Sequence, residues 1–411
     1  MHYFLSILIL FSAINLNAQT QKNLLTERGD FKTSLKKLPP ETEKLEEPKS
    51  SLFSLVKYPT SLGNMKAYLS NVSDKKKKHP AIIWITGGFP VGGAGSYVWE
   101  DADNENDQSA QVYRQKGIVM MYPSFRGYAG NPGKVEGFFG EVNDVLSALE
   151  YLRKLDFVDP KQIYLGGHST GGTLALLTAC ATDKFKAVFS FGPTADPAGY
   201  GSEYEKHDNS KLLERKLRAP KNFLKYIKVP TYVLEGESGN SDSINEMKEI
   251  CKNKNVRFSV IRGADHFNVL WPINKLFAKR IIKGNIEVTD QEMQKAFRDM
   301  VRNNREADDF STLSYLKRSG ISFTDKVTAN YYAVSREKEL LQLLQNGFKL
   351  NKKVKNTALK TYKDRNGQPY YVLVVDQEVV LNDLKNIFLN SATVELACRQ
   401  IGVSYDGWSV N

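Results

Sequence analysis

The chain has 411 residues, 41% of them hydrophobic and 25% charged, with a formal net charge of +11 at pH 7. That length is too great for one ordinary core, so two domains are expected, and the composition is ordinary for a soluble globular protein. The basic residues are scattered and the one dense run, Lys75–Lys78, sits just before an apolar strand, so the charge reads as solvated surface and no nucleic-acid contact is expected.

Phe4 to Leu16 is an apolar run followed by Asn17-Ala18-Gln19. It is too short for a comfortable membrane span and has the length of a signal-peptide core. A cleaved signal over 1–18 is expected, with export to a bacterial periplasm or beyond and no stable membrane insertion. Residues 19–50 are polar, charged and interrupted by Pro39, Pro40 and Pro48, and read as an N-terminal arm. Leu52 to Tyr58 and Met65 to Leu69 flank a hairpin turn at Ser61–Asn64. Ala81 to Thr86 is a continuous apolar strand ending in Gly87-Gly88-Phe89-Pro90. A helical stretch around Glu105 to Lys116 leads to a second buried strand, Ile118 to Tyr122. Val142, Val145, Leu149 and Leu152 share a helical spacing.

The next strand runs into Gly167-His168-Ser169-Thr170-Gly171, and an apolar helix follows. A G-x-S-x-G between strand and helix puts the serine on a strained turn. Its hydroxyl is then exposed above the sheet, and the following N–H faces a developing oxyanion. Ala187 to Phe191 is another strand. Ala198 to Ile227 is charged and helix-prone and reads as a small lid. Pro230 to Leu234 and Val256 to Ile261 are further strands, each followed by a helical run. This alternation predicts an α/β domain over 51–285, with a mostly parallel sheet and helices on both faces. In such sheets the chemistry lies beyond the carboxyl ends of the strands, where Ser169, Gly87-Gly88, Glu235-Gly236 and Asp265-His266 all fall.

A serine acting at neutral pH needs a base. Of five histidines, His2 lies in the signal, His79 precedes a core strand and His207 sits in the lid. The turn directs His168 away from its neighbour Ser169. His266 follows a late strand, where the order nucleophile, acid, base places it. The acid should lie on the loop after Leu234, Glu235-Gly-Glu-Ser-Gly-Asn-Ser-Asp242. Asp242 is the first choice, although it also suits a helix cap; Glu237 is second and Asp265 third, and a water-supported dyad stays open. The oxyanion donors expected are the backbone N–H of Thr170 and the turn at Gly88-Phe89.

Thr86-Gly-Gly-Phe-Pro90, Pro123-Ser-Phe-Arg-Gly127, Gly167–Gly171 and Asp265-His266 together resemble the α/β-hydrolases, nearest the prolyl-oligopeptidase and dienelactone-hydrolase branch. The resemblance covers about residues 50 to 285 and implies a serine hydrolase working through an acyl-enzyme on a small acyl or peptide substrate. Thr86 stands where the family often has histidine, and Gly239 stands where an aspartate is expected three residues after the loop's glycine. Arg126 could meet a carboxylate substrate, but a structural ion pair is favoured.

Residues 286–304 read as a linker helix. Beyond it, Asp309 to Gly320 is helix-like, Val327 to Ser335 strand-like, Arg336 to Asn346 helical, Tyr370 to Val375 a strand and Leu381 to Cys398 helical. This is the pattern of a compact α+β module over 305–411. Its ending, Gly402-Val-Ser-Tyr-Asp-Gly-Trp408, resembles that of the type B regulator of ribonuclease E, which implies a ferredoxin-like fold and a non-catalytic, protein-binding role. Cys180, Cys251 and Cys398 are far apart, lack metal-ligand spacing and read as free thiols. No nucleotide fingerprint or metal cluster points to a cofactor enzyme. The competing reading is a binding protein on a hydrolase scaffold.

Overall fold

The computed structural model describes residues 22–37, 43–48, 51–201, 204, 206–208 and 210–410. The expected signal over 1–18 lies outside the described residues. Among them, no helix is long and apolar enough to cross a membrane.

The first domain is built on an eight-stranded sheet. Its strands are β1 (Phe53–Thr60), β2 (Gly63–Ser70), β3 (His79–Ile85), β4 (Val119–Pro123), β5 (Val158–His168), β6 (Val188–Phe191), β7 (Thr231–Gly236) and β8 (Val256–Ile261). They lie in the order β1-β2-β4-β3-β5-β6-β7-β8. The β1–β2 hairpin joins antiparallel, and every pairing from β4 to β8 is parallel. Helices are α1 (Leu24–Arg28), α2 (Val112–Gln115), α3 (Glu141–Arg153), α4 (Thr170–Ala179), α5 (Leu212–Lys216), α6 (Ser241–Ile250) and α7 (Leu270–Ile282). Parallel strands are buried on both faces, which is why their runs are continuously apolar rather than alternating. Ile83, Ile85, Met121, Leu165 and Val233 face a core shared with α3, α4 and α6. Ile82, Trp84, Met120, Tyr164 and Leu234 face the opposite core, shared with α7. The predicted α/β architecture is present.

The second domain follows α8 (Asp290–Arg318) and runs β9 (Lys326–Ser335), α9 (Lys338–Lys349), β10 (Val354–Lys363), β11 (Pro369–Val380), α10 (Leu384–Gln400), β12 (Ser404–Val410). Its four strands are antiparallel in the order β10-β11-β9-β12. That βαββαβ order with this arrangement is ferredoxin-like. Trp408 and Tyr331 lie in its core with Leu373, Val375, Leu341 and Cys398.

Several sequence expectations change. The helix expected over 105–116 is reduced to α2, and the residues before it form turns in which the Asp107 carboxylate accepts from the Ser109 hydroxyl. Among the described residues, the lid over 198–227 is a chain of turns and short 3-10 segments around the five-residue α5. Arg28 pins it by donating to the carbonyls of Phe138, Phe139 and Leu217. The linker helix and the helix expected over 309–320 are one continuous α8. Thr289 and Glu292 form its capping box, and Met293, Phe297, Met300 and Val301 enter the hydrolase-like core. Leu313 and Leu316 enter the second domain's core, so no break separates the two. All three cysteines are free thiols.

Candidate active site

Ser169 caps α4 at φ 57°, ψ −118°, in the left-handed region that a side chain rarely enters. The neighbouring glycines explain how the turn closes. A Cβ on Gly167 would sit 2.4 Å from the Gly171 carbonyl oxygen, and one on Gly171 would sit 2.1 Å from that of Ile85. One on Gly172 would meet the Phe191 carbonyl oxygen at 2.2 Å. The Ser169 N–H donates to the Phe191 carbonyl at 2.8 Å, which fixes the turn to the end of β6.

His266 lies just beyond β8. Its Nδ1 is 2.7 Å from an Oε2 of Glu235 at the end of β7. The Glu235 side chain is fully buried and also accepts from the N–H of Gly236 at 2.7 Å and of Asn240 at 2.9 Å. A carboxylate accepts only, so His266 donates through Nδ1–H and keeps a lone pair on Nε2. The structure places the expected acid Asp242 exposed in the first turn of α6, away from His266, and brings Glu235 against the imidazole instead. Glu237 instead accepts from the Gly263 N–H at 2.9 Å, and Asp265 accepts from Phe267 and Asn268 within its own turn. The departure at Gly239 has a steric reason. A Cβ there would lie 2.5 Å from the Glu235 carboxyl carbon, so a carboxylate at the strand end requires glycine at 239. The sequence signal was a lone acidic residue closing an apolar strand.

Ser169 and His266 both border the end of β6. Ser169 bonds Phe191, and Gly192, at φ 58°, packs against the imidazole: a Cβ there would be 2.5 Å from His266 Cε1. His168 also belongs to the site rather than pointing away from it. Its ring lies 4.4 Å from that of His266, and its Nε2 is 2.9 Å from the His266 carbonyl oxygen. The carbonyl can only accept, so His168 carries its proton on Nε2. Burial, then the neighbouring His266, lowers its pKa to about 3, and it is neutral at physiological pH.

The glycine-rich turn after β3 borders the elbow. A Cβ on Gly87 would be 3.1 Å from Ser169 Cβ, whereas one on Gly88 would meet nothing within 4 Å. The Thr170 hydroxyl donates to the Gly88 carbonyl at 2.6 Å. In a trans peptide the next N–H, that of Phe89, points the opposite way. The Thr170 N–H lies in the first turn of α4, where helical geometry offers no i−4 carbonyl. Phe89 stacks on Tyr204 at 4.4 Å between ring centres and meets Tyr200 edge-on at 5.4 Å. With Phe138 these rings leave a cleft of only about 10 Å³. Arg126 is bound to Asp144 and Glu136, the structural ion pair favoured from sequence. Among the described residues no cluster of three metal-ligating side chains occurs.

Residues 104–233 match the model of the prolyl oligopeptidase family, and residues 306–410 match that of regulator of ribonuclease activity B. An acyltransferase of Aspergillus calidoustus, drtE, is 28% identical over 141 residues, covering 33% of this chain and 44% of its own length. The quorum-quenching protein AidA of Acinetobacter baumannii is 32% identical over 79 residues, 19% of this chain and 26% of its own. The chain thus spans less than half the length of these curated relatives. An esterase of Pyrococcus furiosus superposes with a TM-score of 0.45 at 16% identity, covering 62% of this chain and 100% of that one. The chain joins a prolyl oligopeptidase-family domain to a regulator of ribonuclease activity B domain.

Proposed function

We propose that the protein is a serine hydrolase that cleaves an ester or a small acyl or peptide bond through an acyl-enzyme on Ser169. The observation that carries this reading is the 2.7 Å bond from His266 Nδ1 to the fully buried Glu235, at the same sheet edge as a strained serine elbow. In the proposed reaction, His266 Nε2 takes the hydroxyl proton as Ser169 Oγ attacks the carbonyl carbon. Glu235 holds the imidazole in the productive tautomer and stabilises the imidazolium. The N–H groups of Thr170 and Phe89 receive the oxyanion. The proton then passes to the leaving group as its bond to carbon breaks, and water repeats the sequence in reverse roles.

The prolyl oligopeptidase match keeps peptides in view. Esters and small acyl compounds are the first substrates to screen. The acyltransferase among the relatives makes an acceptor other than water worth including. The second domain is proposed to bind a protein partner, and a periplasmic or secreted location is proposed from the leading apolar run.

The test is labelling of the purified protein by a fluorophosphonate probe, beside Ser169→Ala and His266→Ala. Labelling of the parent and its loss in both variants is expected. A well-folded parent that fails to label would favour a binding protein on a hydrolase scaffold.

A further inference from the structure

The loop that carries His266 is held from two directions, and one of them lies outside the hydrolase-like sheet. On the inner side, Glu237 accepts from the Gly263 N–H at 2.9 Å, and His168 donates to the His266 carbonyl at 2.9 Å. On the outer side, Gln294 of α8 grips Arg262 at both backbone groups. Its Oε1 accepts from the Arg262 N–H at 2.9 Å, and its Nε2 donates to the Arg262 carbonyl at 3.0 Å. The next residue, Gly263, has φ +76°, and the space where its Cβ would lie is bordered by Gln400 Cγ and Arg399 Cβ of α10 and by Phe297 of α8, each 3.6–3.7 Å away. Arg399 also reaches Glu105 of the first domain. The second domain and its helix therefore abut the turn four residues before His266.

Apolar packing holds the residues on either side, since Ile261 and Ala264 share a buried core with Met293 and Phe297 of α8. A cavity of about 490 Å³ opens at the same seam, lined by Val260, Arg262, Gln294, Arg298, Leu396 and Gln400. At Arg262 itself, beside that open space, the two-point hydrogen bond adds a directional hold on the backbone.

We propose that Gln294 is a positioning residue for the reaction on Ser169, so that the seam with the second domain forms part of the active-site scaffold. This rests on the serine-hydrolase reading. Through the Arg262 backbone, Gln294 sets where the turn from β8 delivers His266, and thereby its alignment with Glu235 and Ser169. A small displacement of the base costs rate at the chemical step far more than it costs substrate binding.

The experiment compares the full-length parent with Gln294→Ala and Gln294→Glu, measuring fluorophosphonate labelling rate, kcat and KM on a small activated ester, and thermal unfolding. Glutamate keeps the acceptor for the Arg262 N–H and loses the donor to its carbonyl. Gln294→Ala should label roughly tenfold more slowly and lose kcat by a similar factor, with KM within about twofold, and Gln294→Glu should fall between it and the parent. A parent that labels while both variants keep its labelling rate and kcat would overturn the positioning role and leave the hydrolase reading standing. Equal losses in Ala and Glu that track a lowered Tm would also overturn it, since a merely structural contact gives no graded rescue. A folded parent that does not label would remove both readings.

Discussion

At the scale of single residues, the site turns on which carboxylate faces His266. Glu235 is fully buried and takes three N–H donors, including the imidazole, whereas Asp242 is solvated at a helix start. Glu235→Gln should therefore lower kcat by roughly 10²–10⁴ while leaving the fold intact, because the neutral amide no longer fixes the tautomer or stabilises the imidazolium. Asp242→Asn should stay within about twofold. Steady-state kinetics on both variants, with circular dichroism as the fold control, decides between them. Ser169 and His266 can be proposed from sequence because a glycine-bracketed serine and a late histidine after a strand are local patterns. The contact of Glu235 with His266 cannot, because it is a cross-strand approach that Gly192 and Gly239 permit sterically. Nor can the part played by His168, whose partner is a backbone carbonyl 98 residues away.

Among elements, α8 gives the clearest physical lesson. Its charges made its first half read as a linker, yet the apolar positions run on at helical spacing into two different cores. Sequence periodicity located most strands and helices, but β10 was missed. It is an edge strand whose lysines face solvent, so it lacks the apolar run that marks an interior strand. The second half of α8 also carries a buried carboxyl group. Asp309 accepts from Trp408 Nε1 at 2.9 Å and from Ser391 at 3.0 Å, and burial raises its pKa from 3.8 to about 6. The folded state thus holds a proton that the unfolded chain releases between these values. Stability contributed here falls as pH rises from about 4 to 6 and stays lower above that. Asp309→Asn keeps an oxygen acceptor and removes the desolvated charge. Its Tm should exceed the parent's at pH 7.5, and the gap should close toward pH 4.5, as read by calorimetry across that range.

For the whole molecule, the two domains share one helix, so a boundary drawn at 304/305 falls inside α8. A chain ending at residue 285 would leave Ile273, Phe277 and Ile281 of α7 without Met293, Phe297, Met300 and Val301 beside them. Exposing an apolar face of that size costs several kcal/mol, a large share of ordinary domain stability. The truncated chain should melt well below the full-length protein or aggregate on expression. One ending after Arg318 should retain the first domain's Tm more closely. Differential scanning calorimetry of the three chains, beside a solubility assay, tests this. Separate transitions with an unchanged first-domain Tm after cutting at 285 would contradict it.

The first domain is also closed by the chain's opening segment. Leu24 is buried in the core and its N–H donates to the Cys180 carbonyl, while Arg28 ties down the turns at Phe138 and Leu217. The sheet thus receives core side chains from α1, before its first strand, and from α8, after its last. Emerging from the ribosome, the early strands must wait for more than two hundred further residues before both faces can be covered. Contacts so distant along the chain close slowly, and apolar surface stays open meanwhile. Holdase chaperones should accordingly engage the nascent chain over most of its synthesis and release it only after α8 has been made.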